Sequence, residues 1–233
     1  MIARARLRAR RRGRGHTRAA LWALGVRRPH GRAWPWLEAH GPGSAMAGQM
    51  LERGLNCPAS TSLGRLFDAA AALAGAGLTA EYEAQAAIRL EHSQYGVPEE
   101  PAERAYPLPL LADQAPALLD SRTIFRALYA DWKAGTPTGT MARRFHQGLV
   151  IGLAAAAAHF AAKLDVRTVG LSGGCLLNLT LAEQLPAALR QHGLTVLTHI
   201  ALPPGDACIS LGQADWGRRM LASRALPRGR KEK

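Results

Sequence analysis

Cysteine is scarce in this sequence, and the placement of the few cysteines excludes two classes of protein. Cys57, Cys175 and Cys208 lie far apart and form no C-x-x-C pair. Disulfide-stabilised scaffolds and zinc fingers need sets of closely spaced cysteines, so we predict neither. Long apolar runs are also lacking, and no unbroken run reaches the length of a membrane span. These absences favour a reduced, cytoplasmic protein that has no membrane partner.

Acidic residues are missing from residues 1–32, a segment that contains eleven arginines. The other 201 residues contain 19 Lys and Arg and 17 Asp and Glu, so they carry only +2 of the total charge of +13. No aromatic residue is interleaved with the arginines of residues 1–18 to stack on bases. We therefore predict a disordered arm over residues 1–18 and do not expect nucleic acid as a partner. A nucleic-acid arm and a transit peptide remain open as alternatives.

Helical periodicity dominates the first half of the chain after this arm. Apolar residues recur at helical spacing over 44–54, 61–75, 79–90 and 121–132. Ser60 or Thr61 is the predicted N-cap of the second of these helices. Asp68 lies off the centre of that helix's apolar stripe, so spacing alone predicts a solvated carboxylate. Glu83 and Gln85 are the polar candidates in the third helix.

Residues 166–211 have the pattern of a strand, a helix and a second strand. The two β-type runs are residues 168–171 and 194–200, and the segment between them places its leucines on one helical face. A long helix is predicted over 141–164, immediately before this unit. His146 lies near the start of that helix, and we predict a packed or capping residue while leaving a catalytic role open. The pattern predicts an α/β fold, in which ligands bind at the carboxyl ends of the strands.

A glycine turn follows each predicted strand, and each turn has chemistry suited to a nucleotide. Gly173 and Gly174 carry no Cβ, so backbone can approach a ligand closely there. The N–H groups at the start of the next helix are predicted to form an anion site for a phosphate. Ser172 and Asn178 add a hydroxyl and an amide, and Asp206 adds a carboxylate for a metal or a ribose hydroxyl. The alternative is a plain strand-to-helix turn with Asp206 as an N-cap.

Five segments, taken in order, resemble the C-terminal part of the HypF carbamoyltransferases of nickel–iron hydrogenase maturation. They contain the motifs G-R-L-F-D, Y-E-A-Q, F-H-Q-G-L, L-S-G-G-C-L-L-N and L-P-P-G-D-A-C. The resemblance implies the distal portion of a TsaD-like fold of the actin, Hsp70 and sugar-kinase superfamily. It implies a partial domain over 19–222, with a helical part over about 44–133, a βαβ lobe over about 141–222 and a basic tail over 223–233.

The resemblance also implies a reaction. In this family, carbamoyl phosphate and ATP form carbamoyl-adenylate, and the carbamoyl group is passed to the C-terminal cysteine of the partner protein HypE. The implied cofactors are ATP or carbamoyl-adenylate and a divalent metal, Fe or Zn, with Asp206 as a metal ligand. The implied nucleotide-binding residues are Asp68, Glu83, Ser172, Gly173, Gly174, Asn178 and Gly205.

The sequence departs from the family pattern in ways that bear on activity. The family's metal site uses two histidines spaced four apart, and no such pair is present. Ala84 replaces the usual glycine of the Y-E-x-Q segment, and Ala207 and Cys208 replace the usual glycines after the G-D turn. The added Cβ atoms narrow loops that should lie close to a ligand. The family's acylphosphatase-like, zinc-finger and adenylate-forming domains are also absent, so we expect a fragment that is incomplete for catalysis by itself.

Two other functions stay open at this point. One is an O-carbamoyltransferase of the NodU type, which acts on a small hydroxylated substrate. The other is a non-catalytic remnant that binds a nucleotide or a partner protein. We also expect exposed apolar surface, because the first lobe of the superfamily fold has no counterpart in the sequence.

Overall fold

The computed structural model describes residues 59–77 and 80–225, together with residues 2–3, 50, 53 and 55. The helices in these ranges are α1 (Leu63–Leu73), α2 (Gln85–Ser93), α3 (Ser121–Lys133), α4 (Thr138–Leu164), α5 (Leu179–Gln191) and α6 (Ile209–Ala225). The strands are β1 (Ile2–Ala3), β2 (Ala59–Ser60), β3 (Leu110–Leu111), β4 (Leu118–Leu119), β5 (Thr168–Gly170) and β6 (Thr195–Leu197). The predicted helix over 44–54 cannot be compared, because most of it lies outside the described residues. The predicted arm over 1–18, apart from β1, also lies outside them.

Helices α1 to α4 pack into the main core. Phe67 of α1 and Phe145 of α4 meet edge to face, with ring centroids 5.3 Å apart. Burying a large apolar side chain contributes about 2 kcal/mol to folding. The fully buried side chains of this core include Leu73, Leu90, Ile124, Phe125, Leu128, Phe145 and Leu149. The helical part therefore has a dense apolar centre on which the rest of the described chain is built.

Helix α4 joins this core to the strand-containing lobe. It contacts α2, α3 and α5 along its length. Its length and composition would allow it to cross a membrane, and among the described residues it is the one helix for which this holds. Half of the most apolar stretch of this helix is buried inside the fold, which is typical of the core helix of a soluble protein. We therefore interpret α4 as a core helix.

The start of α1 differs from the sequence prediction. Its N-cap position is occupied by Ser62, not by Ser60 or Thr61, and the Ser62 side chain makes no capping hydrogen bond. The Ser60 hydroxyl instead accepts a hydrogen bond from the Ser62 N–H at 3.2 Å. Both predicted positions lie too early, Ser60 by two residues and Thr61 by one. Ser60 belongs to β2, where an extended backbone keeps it out of the helix.

Helix α2 begins at Gln85, six residues later than the predicted start at Thr79. Ala84 has a left-handed backbone with φ of 63°, which breaks the helical path immediately before Gln85. Residues 81–84 therefore form an exposed turn. A left-handed conformation costs an L-residue with a Cβ about 1 kcal/mol, a cost that glycine avoids. The structure thus gives a conformational reason for glycine at this position of the Y-E-x-Q segment.

Replacing Ala84 with glycine should raise the free energy of unfolding by about 1 kcal/mol, because the strain of the left-handed backbone is removed. Urea unfolding followed by circular dichroism measures this difference. Ala86 is the matched control, since it lies in the first turn of α2 and is buried. Glycine at position 86 should lower stability by about 1 kcal/mol or more. A loss of stability in the Ala84→Gly variant would contradict the proposed strain.

The second lobe is a βαβ unit, which confirms the α/β fold. Strands β5 and β6 are parallel, with Val169 opposite Val196. Helix α5 connects them, and its Leu185 and Leu189 pack against both valines in a second apolar cluster. A short 3-10 turn, Gly174–Leu177, separates β5 from α5, so the helix begins later than the leucine pattern suggested. Both glycine turns nevertheless lie at the carboxyl ends of the strands.

Large apolar side chains are exposed in this second lobe. Ile200 is 96% exposed, and Trp216 of α6 is 67% exposed. Helix α6 contacts mainly the 3-10 turn Asp206–Cys208 that precedes it. Other large apolar side chains that are exposed in the lobe are Leu177, Leu179, Leu197, Leu202, Ile209, Leu211, Met220 and Leu221. The expectation of exposed apolar surface therefore matches the described part of the chain.

Candidate functional site

The two glycine turns lie against each other. The Gly173 N–H donates a hydrogen bond to the Pro204 carbonyl at 2.7 Å. Gly173 has a φ of 116°, a value that L-residues rarely adopt. A Cβ placed on Gly205 would lie 3.4 Å from the Gly174 Cα. Parallel strands end at the same edge of a sheet, so the fold brings Ser172, Gly173, Gly174 and Gly205 together.

Asp68 lies on the helical side of these turns and is buried. The residue is 7% exposed, and its carboxylate forms an ion pair with Arg65 at 2.8 Å. The prediction of a solvated carboxylate is therefore wrong. Burial raises the pKa of the Cys175 thiol, and the charge of Asp68 raises that pKa further. Helix α1, which contains Asp68, contacts the 3-10 turn Gly174–Leu177.

Asn178 lies at the junction of the 3-10 turn and α5. Its Oδ1 caps the helix by accepting a hydrogen bond from the Leu181 N–H at 3.0 Å. Its Nδ2 lies 3.1 Å from Nε2 of His146, a fully buried residue of α4. The sequence prediction that His146 is a packed residue agrees with this burial.

The start of α5 is not open to a phosphate in the way that the sequence suggested. Glu91 of α2 accepts hydrogen bonds from the Leu179 N–H at 2.6 Å and from the Thr180 N–H at 3.4 Å. Gln94 donates to the Thr180 hydroxyl at 2.7 Å. A carboxylate of the same chain therefore occupies the first N–H groups of α5, and backbone contacts to a ligand must come from the Gly173–Gly174 turn. The predicted anion site directly after these glycines stays a prediction.

Glu91 is the residue of this region that the sequence analysis missed. It is 7% exposed although it is a carboxylate, so its two backbone hydrogen bonds offset the cost of burying a charge. Helical spacing offered a signal, because Glu91 lies four residues after Ala87, which packs against the core, and three residues before the buried Gln94. Its partner could not be found by spacing, since Leu179 is 88 positions away.

Glu83 is placed differently from the other predicted nucleotide residues. It lies in the exposed turn before α2. Within the described ranges, no hydrogen bond or ion pair joins it to the glycine turns. Gln85 is buried instead, and its Oε1 accepts a hydrogen bond from the Glu81 N–H at 2.7 Å. The role of Glu83 in nucleotide binding therefore stays a prediction.

Asp206 is exposed at the first position of the 3-10 turn Asp206–Cys208. The Cys208 thiol lies 3.3 Å from the Gly205 carbonyl, so the side chain that replaces the family's glycine folds back on its own turn. No group of three potential metal ligands is present in the described residues. One carboxylate alone does not make a metal site, so these residues do not fit a bound Fe or Zn by themselves.

A cleft of about 290 Å³ adjoins the turns on the side of β6. Glu183, Arg190, His199 and Pro204 contribute to its lining. His199 Nε2 lies 3.1 Å from the Ser172 hydroxyl, so Ser172 is linked to this cleft and not only to the glycine turn. The cleft is lined by an acidic and a basic side chain, Glu183 and Arg190, and is large enough for part of a small polar ligand.

Most of the chain matches one protein-family model. Residues 10–213 match the model described as Carbamoyltransferase, Kae1-like Domain, second subdomain. This match covers most of the chain, including both glycine turns and the helices that contact them.

Several curated relatives of this chain are named as HypF carbamoyltransferases. The chain is 39% identical over 195 residues to Carbamoyltransferase HypF2 of Cupriavidus necator, covering 74% of this chain and 24% of that protein. It is 36% identical over 174 residues to Carbamoyltransferase HypF of Rhizobium leguminosarum bv. viciae, covering 74% and 21%. It is 40% identical over 170 residues to the HypF homolog of C. necator, covering 71% and 42%. The chain thus spans less than half the length of each of these relatives.

Solved structures of HypF proteins superimpose on this chain. A crystal structure of full-length HypF in its phosphate- and nucleotide-bound form superimposes with a TM-score of 0.73 at 25% identity, covering 89% of this chain and 26% of that one. The structure of T. kodakarensis HypF superimposes with a TM-score of 0.69 at 20% identity, covering 91% and 28%. Both similarities extend across the helical part and the βαβ lobe.

Proposed function

Because this chain belongs to the HypF carbamoyltransferase family, we propose that it supplies one side of an adenylate-binding site for carbamoyl transfer in hydrogenase maturation. The observation that carries the proposal is the contact between the two glycine turns, with the Gly173 N–H bonded to the Pro204 carbonyl. Paired glycine turns at the ends of parallel strands let backbone groups surround a phosphate without steric hindrance.

The proposed roles follow from the chemistry of each group. The Gly173 N–H is already bonded to the Pro204 carbonyl, so the Gly174 N–H would donate to the phosphate. Gly173 would let the phosphate approach closely, because it carries no side chain. Asp68, a buried carboxylate beside the same turn, would accept hydrogen bonds from the ribose hydroxyls. Asn178 would add an amide N–H. Ser172 would add a hydroxyl, and Glu83 would contribute from the Y-E-x-Q segment.

The proposed reaction needs components that the described residues do not provide. Carbamoyl-adenylate would be made from carbamoyl phosphate and ATP, and the acceptor would be the C-terminal cysteine of HypE in the cytoplasm. In the complete family protein a metal, Fe or Zn, would supply a Lewis acid, and Asp206 is the residue here that would contribute to holding it. Since Asp206 has no partner ligands among the described residues, a second candidate is a nucleotide-binding module without catalysis of its own.

Gly174→Ala tests the proposed phosphate contact. An ideal Cβ at Gly174 meets no atom within 4 Å, and φ there is not positive, so the fold should tolerate alanine. The methyl group would occupy the space where the phosphate should lie. We expect the affinity for ATP, measured by calorimetry on the full chain, to fall about 10- to 100-fold, as for one or two lost bonds to a charged group.

Gly170→Ala is the matched control, because its Cβ also meets no atom within 4 Å and it lies in β5, before the turn. This control should bind ATP as the unsubstituted chain does. Thermal unfolding of both variants shows whether each is folded. Equal ATP affinity in the Gly174→Ala variant would refute the phosphate contact, and no ATP binding by the unsubstituted chain would refute the nucleotide site.

A further inference from the structure

We propose that His146 is a positioning residue that sets the orientation of the Asn178 amide beside the glycine turn. The proposal rests on the function proposed above, because it assigns to Asn178 a defined orientation toward the nucleotide. It also concerns a histidine that has no part in the roles proposed above. His146 lies in the interior of the protein, on a different helix from Asn178.

The surroundings of His146 determine which ring nitrogen carries the hydrogen. Nδ1 lies 2.7 Å from the Ala142 carbonyl oxygen, which can only accept a hydrogen bond. Nδ1 must therefore be the protonated nitrogen. Phe67 and Phe145 lie close to the imidazole ring, with centroids at 5.4 Å and 5.6 Å, and the residue is fully buried. In a neutral ring with Nδ1 protonated, Nε2 is an acceptor.

That acceptor determines which end of the Asn178 amide faces α4. Asn178 Nδ2 lies 3.1 Å from Nε2 and donates one of its two hydrogens to it. At the other end, Oδ1 accepts from the Leu181 N–H at 3.0 Å. A flipped amide would place an oxygen against the lone pair of Nε2 and an NH₂ group against an N–H. Both contacts would be lost, so the histidine fixes a single orientation.

The same orientation leaves one hydrogen of Nδ2 for a ligand. The Asn178 N–H donates to the Cys175 carbonyl at 3.2 Å, which ties this residue to the turn that begins at Gly174. The first N–H groups of α5 are already bonded to Glu91. The Asn178 amide is therefore the group through which the start of α5 can reach a nucleotide, and His146 aims it.

The first experiment needs no nucleotide. Long-range ¹⁵N–¹H spectra of the full chain report the His146 tautomer, and the side-chain amide resonances of Asn178 report its orientation. We expect the neutral Nδ1–H tautomer and two distinct Asn178 amide protons. In His146→Phe, which keeps a ring in the cavity but removes the acceptor, these two resonances should shift and broaden. An Nε2–H tautomer, or unchanged Asn178 resonances in His146→Phe, would overturn the proposal.

Two further variants separate positioning from simple packing. His146→Gln places an acceptor near the position of Nε2 and should restore the Asn178 resonances. His159→Phe replaces an exposed histidine of the same helix and should leave them unchanged. If His146→Phe does not fold, the tautomer in the unsubstituted chain and the Asn178 resonances of His146→Gln still decide the outcome. Lost Asn178 resonances in a folded His146→Gln variant would count against the proposal.

The second experiment connects positioning to binding. Calorimetry with ATP should show about a tenfold weaker affinity for His146→Phe, the effect of one misplaced hydrogen bond, and near-normal affinity for His146→Gln. Equal affinity in all three proteins would show that His146 positions Asn178 without serving the nucleotide, and would overturn the functional part. If the unsubstituted chain does not bind ATP, the proposed function fails, while the spectra still decide whether His146 orients Asn178.

Discussion

Replacing Gly148 with alanine should cost the protein about 3 kcal/mol or more of its free energy of unfolding. Gly148 lies on the face of α4 that meets Tyr106, and a Cβ there would overlap the Tyr106 backbone carbonyl. That backbone cannot easily move away. The Tyr106 N–H donates to the Arg144 carbonyl at 3.1 Å, and the Tyr106 hydroxyl donates to Asp131 at 2.6 Å. The added methyl group must therefore push the Tyr106 backbone away from α4, although hydrogen bonds hold Tyr106 to both α3 and α4.

Urea unfolding followed by circular dichroism measures this loss. Gly212→Ala is the matched control, because Gly212 also lies within a helix but its Cβ would meet no atom within 4 Å. Alanine has the higher helix propensity, so this control should gain up to about 1 kcal/mol. A lower free energy of unfolding in Gly148→Ala together with a higher one in Gly212→Ala would show that the contact with the Tyr106 backbone, and not helix propensity, causes the loss at position 148. An unchanged unfolding midpoint in the Gly148→Ala variant would contradict this packing.

Acidification from neutral pH to pH 4 should remove about 3 kcal/mol of stability through His146 alone. Burial lowers the pKa of His146 to about 4, and the hydrogen bond to the Ala142 carbonyl opposes this shift only in part. In the unfolded chain the imidazole has a pKa of about 6.5. Between these two values the unfolded state binds a proton that the folded state does not. Stability is therefore unaffected by His146 above pH 6.5 and falls as the pH decreases toward 4.

The His146→Gln variant isolates this effect, because glutamine does not titrate. Urea unfolding at a series of pH values between 7 and 4 should show a steeper loss of stability in the unsubstituted chain than in the variant. All other titratable groups are present in both proteins, so their contribution to the pH dependence cancels in the difference. Parallel pH profiles for the two proteins would show that His146 does not have the depressed pKa.

The predicted elements needed correction where backbone conformation or neighbouring elements, and not the spacing of apolar residues, determined the structure. Periodicity placed the start of the third helix at Thr79, but the left-handed backbone of Ala84 delays the start to Gln85. Periodicity also treated Asp68 as solvated, because one helix viewed alone does not reveal which neighbours cover its sides. In the folded protein Asp68 is buried and paired with Arg65. Local patterns predict that an element exists more reliably than they predict its boundary or its environment.

The sequence by itself determined the α/β class, helices α1 to α4, the βαβ unit, the two glycine turns and the family. It did not predict α6 or the short strands β2, β3 and β4. The predicted features depend on hydrophobic period and on residues such as glycine, whose conformational freedom acts over a few neighbouring positions. Tertiary structure alone decided what surrounds the turns. Glu91 reaches the start of α5 across 88 positions of the chain, and His146 reaches Asn178 across 32. A buried polar group is stable only when distant parts of the chain supply its partner, so packing, and not local pattern, selects these contacts.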